Sequence, residues 1–599
     1  MINRSLIKVF LINLIFLFLF NNLNAETVSE DKSISDSTET NQQNIDTNGV
    51  TLTITNSTVS RNNKPILVDA TLEDVSISID SDSTVESTDG DNPILGKNTT
   101  RLTVNNSGTI SSSAQKSIDI YQSTDAEITN NSGAVISAAK HAIRTGGISA
   151  DPTTGYTITN SGKIYATDTT KGAIFSNTYS TGGTITNNSG GEIYSNGSQA
   201  TIRVGATTTI TNSGSIKNNN DLDNSAIQLL GNSNTVTLKN DGIVVGKITA
   251  DSGTTGNTLK FQHGFGQGYF YNTSGDFTLE DLDGNQVVQG SAGSVGQGGS
   301  ETLDELLGYK SLNIRKSLNR YKKSKSFIEG KDSWGEAYVS NLKRKENNNN
   351  LAIGYDHKTF GINLINPLQS SHFMLSLEHS KQDLLQDHSI TRYGLLTGLY
   401  FPQLKNLGKF ETENFVSAGI TLNDSERTIL TNTTTSGILN VTDTYETYEV
   451  IAGKKFKYFD NLSNINLIPD IGITVGYSLT PSHSESKYFI WDKKHVANLT
   501  ASLSDEYSIQ ISGNTNLSVG WIGDFRRLIT EQKQKYEING TKATFSPGNE
   551  LKNEITFAGN IGLKHDFLKY GLISFNLEGS HSTQNTNSIT GYVAMKFKF

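Results

Sequence analysis

TITNSGKI at Thr157 to Ile164, TITNNSGGEI at Thr184 to Ile193 and TITNSGSI at Thr209 to Ile216 are three versions of one phrase. It recurs upstream as TVNNSGTI (Thr103 to Ile110) and ITNNSGAVI (Ile128 to Ile136), and downstream as TLKNDGIV (Thr237 to Val244). Gly108, Gly133, Gly162, Gly190, Gly214 and Gly242 are therefore 25, 29, 28, 24 and 28 residues apart. A second slot lies between them, at Ser117-Ile118, Ala142-Ile143, Ala173-Ile174, Thr201-Ile202 and Ala226-Ile227. A period of this length holding two or three short alternating strands is that of one coil of a β-solenoid. Ile128, Ile158, Ile185 and Ile210 precede the turn and Ile136, Ile164, Ile193 and Ile216 follow it, so stacking the coils makes continuous apolar columns. Asn-Ser-Gly supplies the corner, because glycine tolerates positive φ and Asn can bond its own backbone or its stacked equivalents. Coils stack like paired strands, about 4.8 Å apart, so eight or nine coils predict a rod of about 40 Å.

Composition agrees with an all-β chain. With 599 residues, 55 Gly against 8 Pro and 18% charged residues, many short strands joined by tight turns are expected and at least two folding units. Cysteine is absent, which excludes a disulfide framework and thiolate metal sites. The net charge of -9 is uneven: residues 26 to 300 hold 28 Asp plus Glu against 15 Lys plus Arg. So acidic a half does not attract phosphate backbones, and nucleic acid is not an expected partner.

Moving outward from the repeat, Arg4 and Lys8 precede the twelve-residue apolar stretch Val9 to Phe20, then Asn21-Asn22-Leu23-Asn24-Ala25. That order reads as a secretory signal peptide, residues 1 to 25, cleaved after Ala25; its core is shorter than the roughly 20 residues of a spanning helix. Residues 26 to 48 are polar and read as a disordered leader. The solenoid then covers 49 to 289. Its last part, 244 to 289, loses the corner and gains Phe261, Phe265, Tyr269, Phe270, Tyr271 and Phe277, which suits a cap and folding nucleus.

Residues 290 to 332 combine a Gly-rich flexible linker, Gly290 to Ser300, with a helix from Glu301 to Phe327. The helix opens on acids and closes on Arg315, Lys316, Arg320, Lys322, Lys323 and Lys325, an order that suits its dipole. Mostly polar around its circumference, it fits a water-filled lumen. From 333 to 599 the alternation is long and regular. Ile471, Ile473, Val475 and Tyr477 stand against Gly472, Thr474 and Gly476, and Phe373, Leu375 and Leu377 against Met374, Ser376 and Glu378. Segments of about ten residues with one apolar and one small or polar face are the signature of a transmembrane barrel with a wet interior. Twelve strands fit, with the doubtful boundary between Tyr507 and Trp521. Asn423 to Thr444 and Arg527 to Asn553 read as extracellular loops.

The last strand, Gly591 to Phe599, ends on an aromatic, with Val593, Met595, Phe597 and Phe599 pointing one way. Signal, repeat, helix and barrel together make the chain resemble the autotransporter (type V secretion) family. The resemblance implies an all-β fold: a right-handed parallel β-helix passenger, a pore helix and a 12-stranded antiparallel transmembrane β-barrel. It implies an outer-membrane location in a Gram-negative bacterium, with export and display of the chain's own passenger at the cell surface. Implied partners are outer-membrane lipid, the secretory translocon, periplasmic chaperones and the barrel-assembly machinery, which in that family recognises the terminal strand, here Val593, Met595, Phe597 and Phe599. Some members cut the passenger free at an Asn pair in the pore helix. Here Asn313 and Asn319 stand apart, so a tethered passenger is expected.

Chemistry is sparse in the passenger half. It has two histidines, His141 and His263, and His141 sits in a repeat slot where neighbouring coils carry ordinary residues, so both read as structural. No GxSxG occurs, and Asp221 and Asp223 read as a solvated turn rather than a glycosidase pair. Asp80, Asp82, Asp89 and Asp91 offer oxygen ligands without the spacing of a Ca2+ loop. The expectation is no enzyme, cofactor or metal. The surface of Thr, Asn and Ser ladders suits adhesion to an unknown extracellular ligand or neighbouring cell. The alternatives are a polysaccharide-acting passenger on the same translocator, or a barrel with pore or scaffold function.

Overall fold

The computed structural model describes residues 25–599 apart from 241, 297–298, 325–331, 347–352, 403–406, 408, 459–468, 532, 546–551, 569–570 and 599. Residues 1–24 of the expected signal peptide thus lie outside the described residues. The chain forms two compact units. One runs to His263 and adds Phe270–Asp283 and Leu430–Leu439; the other comprises Gly264–Tyr269, Gly284–Ile429 and Asn440–Phe599.

The first unit is a parallel β-solenoid whose three faces are sheets of 11, 11 and nine strands. Its apolar members are in register from coil to coil. Ile128, Ile158, Ile185 and Ile210 are consecutive partners, as are Ile136, Ile164, Ile193 and Ile216. The second repeat slot makes the third column, Ile118, Ile143, Ile174, Ile202 and Ile227. Nearly all these side chains are wholly buried. Fully burying a side chain of this size contributes about 1.5–3 kcal/mol, so each coil adds roughly three such terms.

At the corner, Asn106, Asn130, Asn160, Asn187 and Asn212 form a buried amide ladder. The first four donate through Nδ2 to the Oδ1 of the next coil at 2.8 Å, and Asn212 ends the ladder on the Ile243 carbonyl at 3.1 Å. The glycine that follows has two separate reasons to be there. In the longer turns, Gly133 and Gly190 adopt φ of 83° and 82°. In the shorter turns the constraint is close approach: a Cβ on Gly162 would lie 2.3 Å from the Ala134 carbonyl oxygen of the preceding coil. Positive φ, expected for every copy, thus holds for the long turns, and the short ones need glycine for space.

The expected disordered leader is instead structured. Ala25–Val28, Lys32–Ser35 and Gln42–Ile45 are strands, pairing Ala25 with Gln42 and Ile34 with Ile54. Val28, Ile34 and Ile45 are buried. Composition judged the segment alone, whereas a terminal coil needs only a few apolar residues because its neighbour supplies the other half of each contact. The segment 244 to 289 is likewise not one module. Its strands Lys247–Ala250, Thr258–Gln262 and Thr278–Asp281 continue two solenoid faces, while Gly264–Tyr269 and the chain from Gly284 belong to the second unit.

The second unit is a closed antiparallel barrel of twelve strands. Asp332–Arg344 pairs with Tyr355–Pro367 on one side and with the last strand, Thr586–Lys598, on the other, which closes the ring. The doubtful boundary resolves into Lys494–Ser512 and Thr515–Leu528. The two expected loops are largely strand. Phe410–Thr431 and Ile438–Tyr458 run 22 and 21 residues, and Gln534–Ile538 and Thr541–Phe545 form a hairpin in a separate four-stranded sheet. Polarity on both faces reads as loop in a sequence, yet a strand that continues beyond the apolar band is polar on both faces too. The described residues of Gly290 to Ser300, expected as a flexible linker, pack within the barrel unit, where Arg427 donates to the Val295 carbonyl at 2.6 Å and Ser291 to that of Ile538 at 2.9 Å.

Candidate functional site

The barrel alternates as the sequence predicts, with its apolar side outward. Ile471, Ile473, Val475 and Tyr477 are 37–46% exposed, while Asp470, Thr474 and Ser478 beside them are buried. Phe557, Ile561, Leu563, Phe575 and Leu577 repeat the pattern on neighbouring strands. A continuous apolar exterior on a ring without free edges satisfies every backbone group internally, which is what a bilayer demands of strands. This is a lipid-facing barrel.

Its interior is filled by the helix Leu303–Lys323, entered through a 3-10 turn at Ser300–Thr302. The helix spans about 31 Å at 1.5 Å per residue, close to the thickness of a hydrocarbon core. It lies along the barrel. Near its start, Glu305 meets Arg344 at 2.7 Å and Thr586, the ends of the first and last strands; near its close, the Tyr321 hydroxyl donates to the Asp332 carbonyl at 3.3 Å, at the opposite end of the same strand.

All eight charged residues of the helix meet an opposite charge on the wall. Lys310 pairs with Glu449 at 2.6 Å, Arg315 with Asp524 at 2.5 Å, Arg320 with Glu336 at 2.7 Å and Lys323 with Glu506 at 4.0 Å. Lys316 meets Glu578 and Lys322 meets Glu413, while Asp304 faces Arg526 at 2.5 Å and Glu305 takes Arg344. The pairs of Arg315 and Arg320 are two-pronged, and the Arg320 guanidinium also lies 3.7 Å over the Tyr592 ring. Six strands spread around the ring supply the partners. Buried ion pairs give little net stability against desolvation, but a missing partner is expensive, so they fix the helix's rotation and depth rather than adding much holding energy.

Packing contributes the rest. Leu307, Ile314, Leu318 and Tyr321 join Trp334, Ile365, Tyr400, Phe415, Ile451 and Val496 in one buried cluster. The lumen is therefore not the small and polar interior expected; an apolar belt crosses it where the helix passes. Small residues bring the surfaces together: a Cβ on Gly476 would stand 3.2 Å from Leu307, and one on Gly308 2.8 Å from Arg526. A gap beside Lys310, lined by His357, Glu378, Arg392 and Glu449, holds about 50 Å³, enough for water and too little for a peptide.

A β-solenoid, a lumen helix and a closed twelve-stranded barrel thus follow one another along the sequence. That is the order of parts implied by the sequence's resemblance to autotransporters.

No family model matches the chain, and no curated protein matches it. Solved structures similar to it include the translocator domain of autotransporter NalP from Neisseria meningitidis, with 10% identity, TM-score 0.35 and coverage of 50% of this chain and 99% of that one. The transport unit of AIDA-I from Escherichia coli has 11% identity and TM-score 0.31 over 49% of this chain and 98% of that one. An outer membrane channel from Pseudomonas putida F1 has 10% identity and TM-score 0.26 over 45% and 97%. The reading of this chain stands on its own geometry.

The sequence-predicted residues fall as follows. Val593 and Met595 face outward, each 44% exposed, with Ala594 and Lys596 inward. Phe597 pairs through its backbone with Ser333 and Gly571, and Phe599 lies outside the described residues. Ala25 begins the first solenoid strand. Asn313 and Asn319 are both on the lumen helix, where Asn313 accepts from the Tyr592 hydroxyl at 3.4 Å and Asn319 from Lys455 at 2.9 Å. The wall residues Glu336, Glu413, Glu449, Glu506, Asp524 and Glu578 escaped the sequence reading. Their one signal is a carboxylate at an inward position of a barrel strand.

In the solenoid, His141 bonds the Gly172 carbonyl through Nδ1 at 2.8 Å and stacks 4.8 Å from Phe175. Burial pulls its pKa down to about 4. His263 bonds the Asn240 carbonyl and the Tyr271 hydroxyl. Both are packing elements. Asp80 accepts from the Asn56 and Asp82 amides, Asp91 pairs with Lys64 at 3.3 Å and Asp223 with Lys247 at 2.8 Å. Among the described residues no group of three or more His, Asp or Glu is placed to hold a metal.

Proposed function

We propose that the barrel exports the solenoid across the outer membrane of a Gram-negative bacterium and displays it, still attached, as an adhesin. The observation that carries this is the course of the helix. It runs through the lumen from the end where the first and last strands begin and close, Asp332 and Lys598, to the end where Arg344 lies, so the chain N-terminal to it leaves the barrel at the far rim. With those barrel ends periplasmic, the solenoid is outside the cell.

Energy for passage comes from folding. Each coil that forms outside adds nearest-neighbour burial to the one before, and a domain stability of about 5–15 kcal/mol makes retreat unfavourable. Recognition by the barrel-assembly machinery falls to Val593, Met595, Phe597 and Phe599. Asn313 and Asn319, separated and each engaged by the wall, support a passenger that remains tethered. The solenoid's histidines are engaged in packing and Asp223 in an ion pair with Lys247, which supports binding over catalysis.

The test is protease treatment of intact cells producing the full chain. Solenoid epitopes are expected to disappear while a fragment containing the helix and barrel survives. Deleting residues 50 to 290 is expected to abolish cell aggregation or surface binding with the barrel still assembled. A solenoid cut only after the outer membrane is permeabilised overturns the export reading, and undiminished adhesion after the deletion overturns the adhesin.

A further inference from the structure

Two connections between barrel strands carry a small sheet of their own. The one after Asp470–Thr480 supplies His483–Ser484 and Phe489–Trp491, and the one after Thr515–Leu528 supplies Gln534–Ile538 and Thr541–Phe545. Phe489 pairs with Ile538 and Trp491 with Tyr536, which joins the two connections into one antiparallel sheet. Its alternation is one-sided. Phe489, Trp491, Tyr536, Ile538 and Phe545 are buried, while Ile490 and Lys535 between them are exposed.

The buried face lies on the segment that leads into the lumen helix. Ser291 donates to the Ile538 carbonyl at 2.9 Å and Gln286 to that of Thr544 at 2.6 Å. Ser291, Ala292, Ser294 and Val295 are buried. A Cβ on Gly293 would stand 3.0 Å from the Ile538 Cγ2 and 3.0 Å from the Tyr269 carbonyl oxygen. Gly290-Ser291-Ala292-Gly293-Ser294-Val295 holds no side chain larger than valine. A composition that reads as flexible is here a fit to a tight space.

One guanidinium ties the parts together. Arg427, on the strand Phe410–Thr431, donates to the Val295 carbonyl at 2.6 Å and to the Glu485 carboxylate, and lies 5.4 Å from the centroid of the Phe489 ring. The Trp491 indole donates to the same Glu485 oxygen at 3.0 Å. Arg427 and Glu485 are 2% and 4% exposed, so the pair is costly unless both partners are in place. Between the sheet and the start of the lumen helix a gap of about 20 Å³ remains, lined by Ser300, Leu303, Glu485 and Trp491, with room for about one water.

We propose that this sheet is a lid that shuts on residues 290 to 295 once they occupy the mouth alone, with Arg427 as its latch. The space beneath it admits one strand of small residues. A second strand there, or a bulkier one such as the aromatic stretch Tyr269-Phe270-Tyr271, holds the lid open. The proposal rests on the export reading and adds its end point: passage is complete when the lid closes.

The test is trypsin digestion of the full chain in detergent micelles, timing cleavage at Lys535 and Lys542, both exposed on the lid hairpin. The unaltered lid is expected to be cut slowly. Gly293→Leu and Glu485→Ala are each expected to be cut at least about tenfold faster, because proteolysis follows the population of the open form. Gly293→Ala is expected to fall between. Gly513→Leu, at a turn where nothing stands within 4 Å of an added Cβ, is expected to be cut like the unaltered chain. The compact, heat-resistant form on electrophoresis checks that each barrel folds. On intact cells, Gly293→Leu is expected to expose the solenoid to protease as the unaltered chain does, because the lid shuts after passage. Fast cleavage of the unaltered lid, a rate that does not follow the size of residue 293, or loss of the surface solenoid in Gly293→Leu alone overturns the proposal. A solenoid missing from the surface with the unaltered chain overturns the export reading instead, and the micelle measurement still judges the fit of the lid.

Discussion

In the solenoid, Ile158, Ile164 and Ile185 point inward and are fully buried, with Thr and Ser turned to water; in the barrel, Ile471, Ile473 and Ile561 point outward, and the inner face carries Glu336, Asp524 and Glu578. Both halves are built on a two-residue alternation. What differs is the solvent on each side. Parallel coils close on themselves around a dry column too narrow for anything but side chains. Twelve tilted antiparallel strands enclose a space wide enough for a helix, and place their apolar face against lipid. The charges follow the same logic. On the solenoid they sit at the surface, where ion pairs are worth about 0–1 kcal/mol. In the lumen they are buried, where a pair sets geometry and an orphan is costly.

The largest expected effect breaks the barrel side of this contrast. Glu336→Ala leaves Arg320 buried without its partner and is expected to destabilise the barrel by about 3–5 kcal/mol, measured as loss of the compact, heat-resistant form on electrophoresis in detergent. Replacing both partners, with Arg320→Met and Glu336→Leu, is expected to recover most of that loss. A double variant as damaged as the single one would show that the charges contribute directly to holding energy.

A second substitution compares the two interiors directly. Ile158→Ala opens a cavity between packed coils and is expected to cost about 2–5 kcal/mol in denaturant unfolding of the solenoid. Ile473→Ala, the same chemical change on the lipid face, is expected to cost about 1 kcal/mol or less, because mobile acyl chains close the space and the cavity penalty disappears. Equal losses would mean that the outward barrel face is packed rather than solvated by lipid.

A third effect concerns pH. His141 is neutral when folded, with its pKa drawn down to about 4 by burial from an ordinary value near 6.5. Between those values the unfolded chain binds the proton more tightly, so the contribution to stability is present above pH 6.5 and is lost as pH falls toward 4. The loss is about 3 kcal/mol at most, at about 1.4 kcal/mol per pKa unit. His141→Gln is expected to flatten this part of the stability profile of the solenoid. An unchanged profile would assign the acid sensitivity to other groups.

Much of this was legible in the residues. The repeat pointed to the three solenoid columns, and the twelve strands and the lumen helix were visible in their periods, because each is set by residues two to four apart. The leader misread as disordered shows the limit of composition: Val28, Ile34 and Ile45 are too few to fold alone and enough when a coil is already stacked beside them. The long hairpin of Phe410–Thr431 and Ile438–Tyr458 shows another, since a strand leaving the membrane loses the one-sided polarity that marks it. The wall carboxylates stood in plain view at inward positions, with nothing local to name their partners.

By itself the sequence determined the order of parts, the inward face of the repeated coils and the outward face of the regularly alternating barrel strands, since local periodicity decides which side chains share a face. Only the tertiary structure decided that Arg315 meets Asp524, 209 residues away, that an apolar belt crosses the lumen, and that Asp119, Arg144, Phe175 and Arg203 share one register line on the solenoid. Those depend on ring closure, on the helix's rotation within it and on coil-to-coil register, which arise from contacts between residues far apart in the chain and from no period along it.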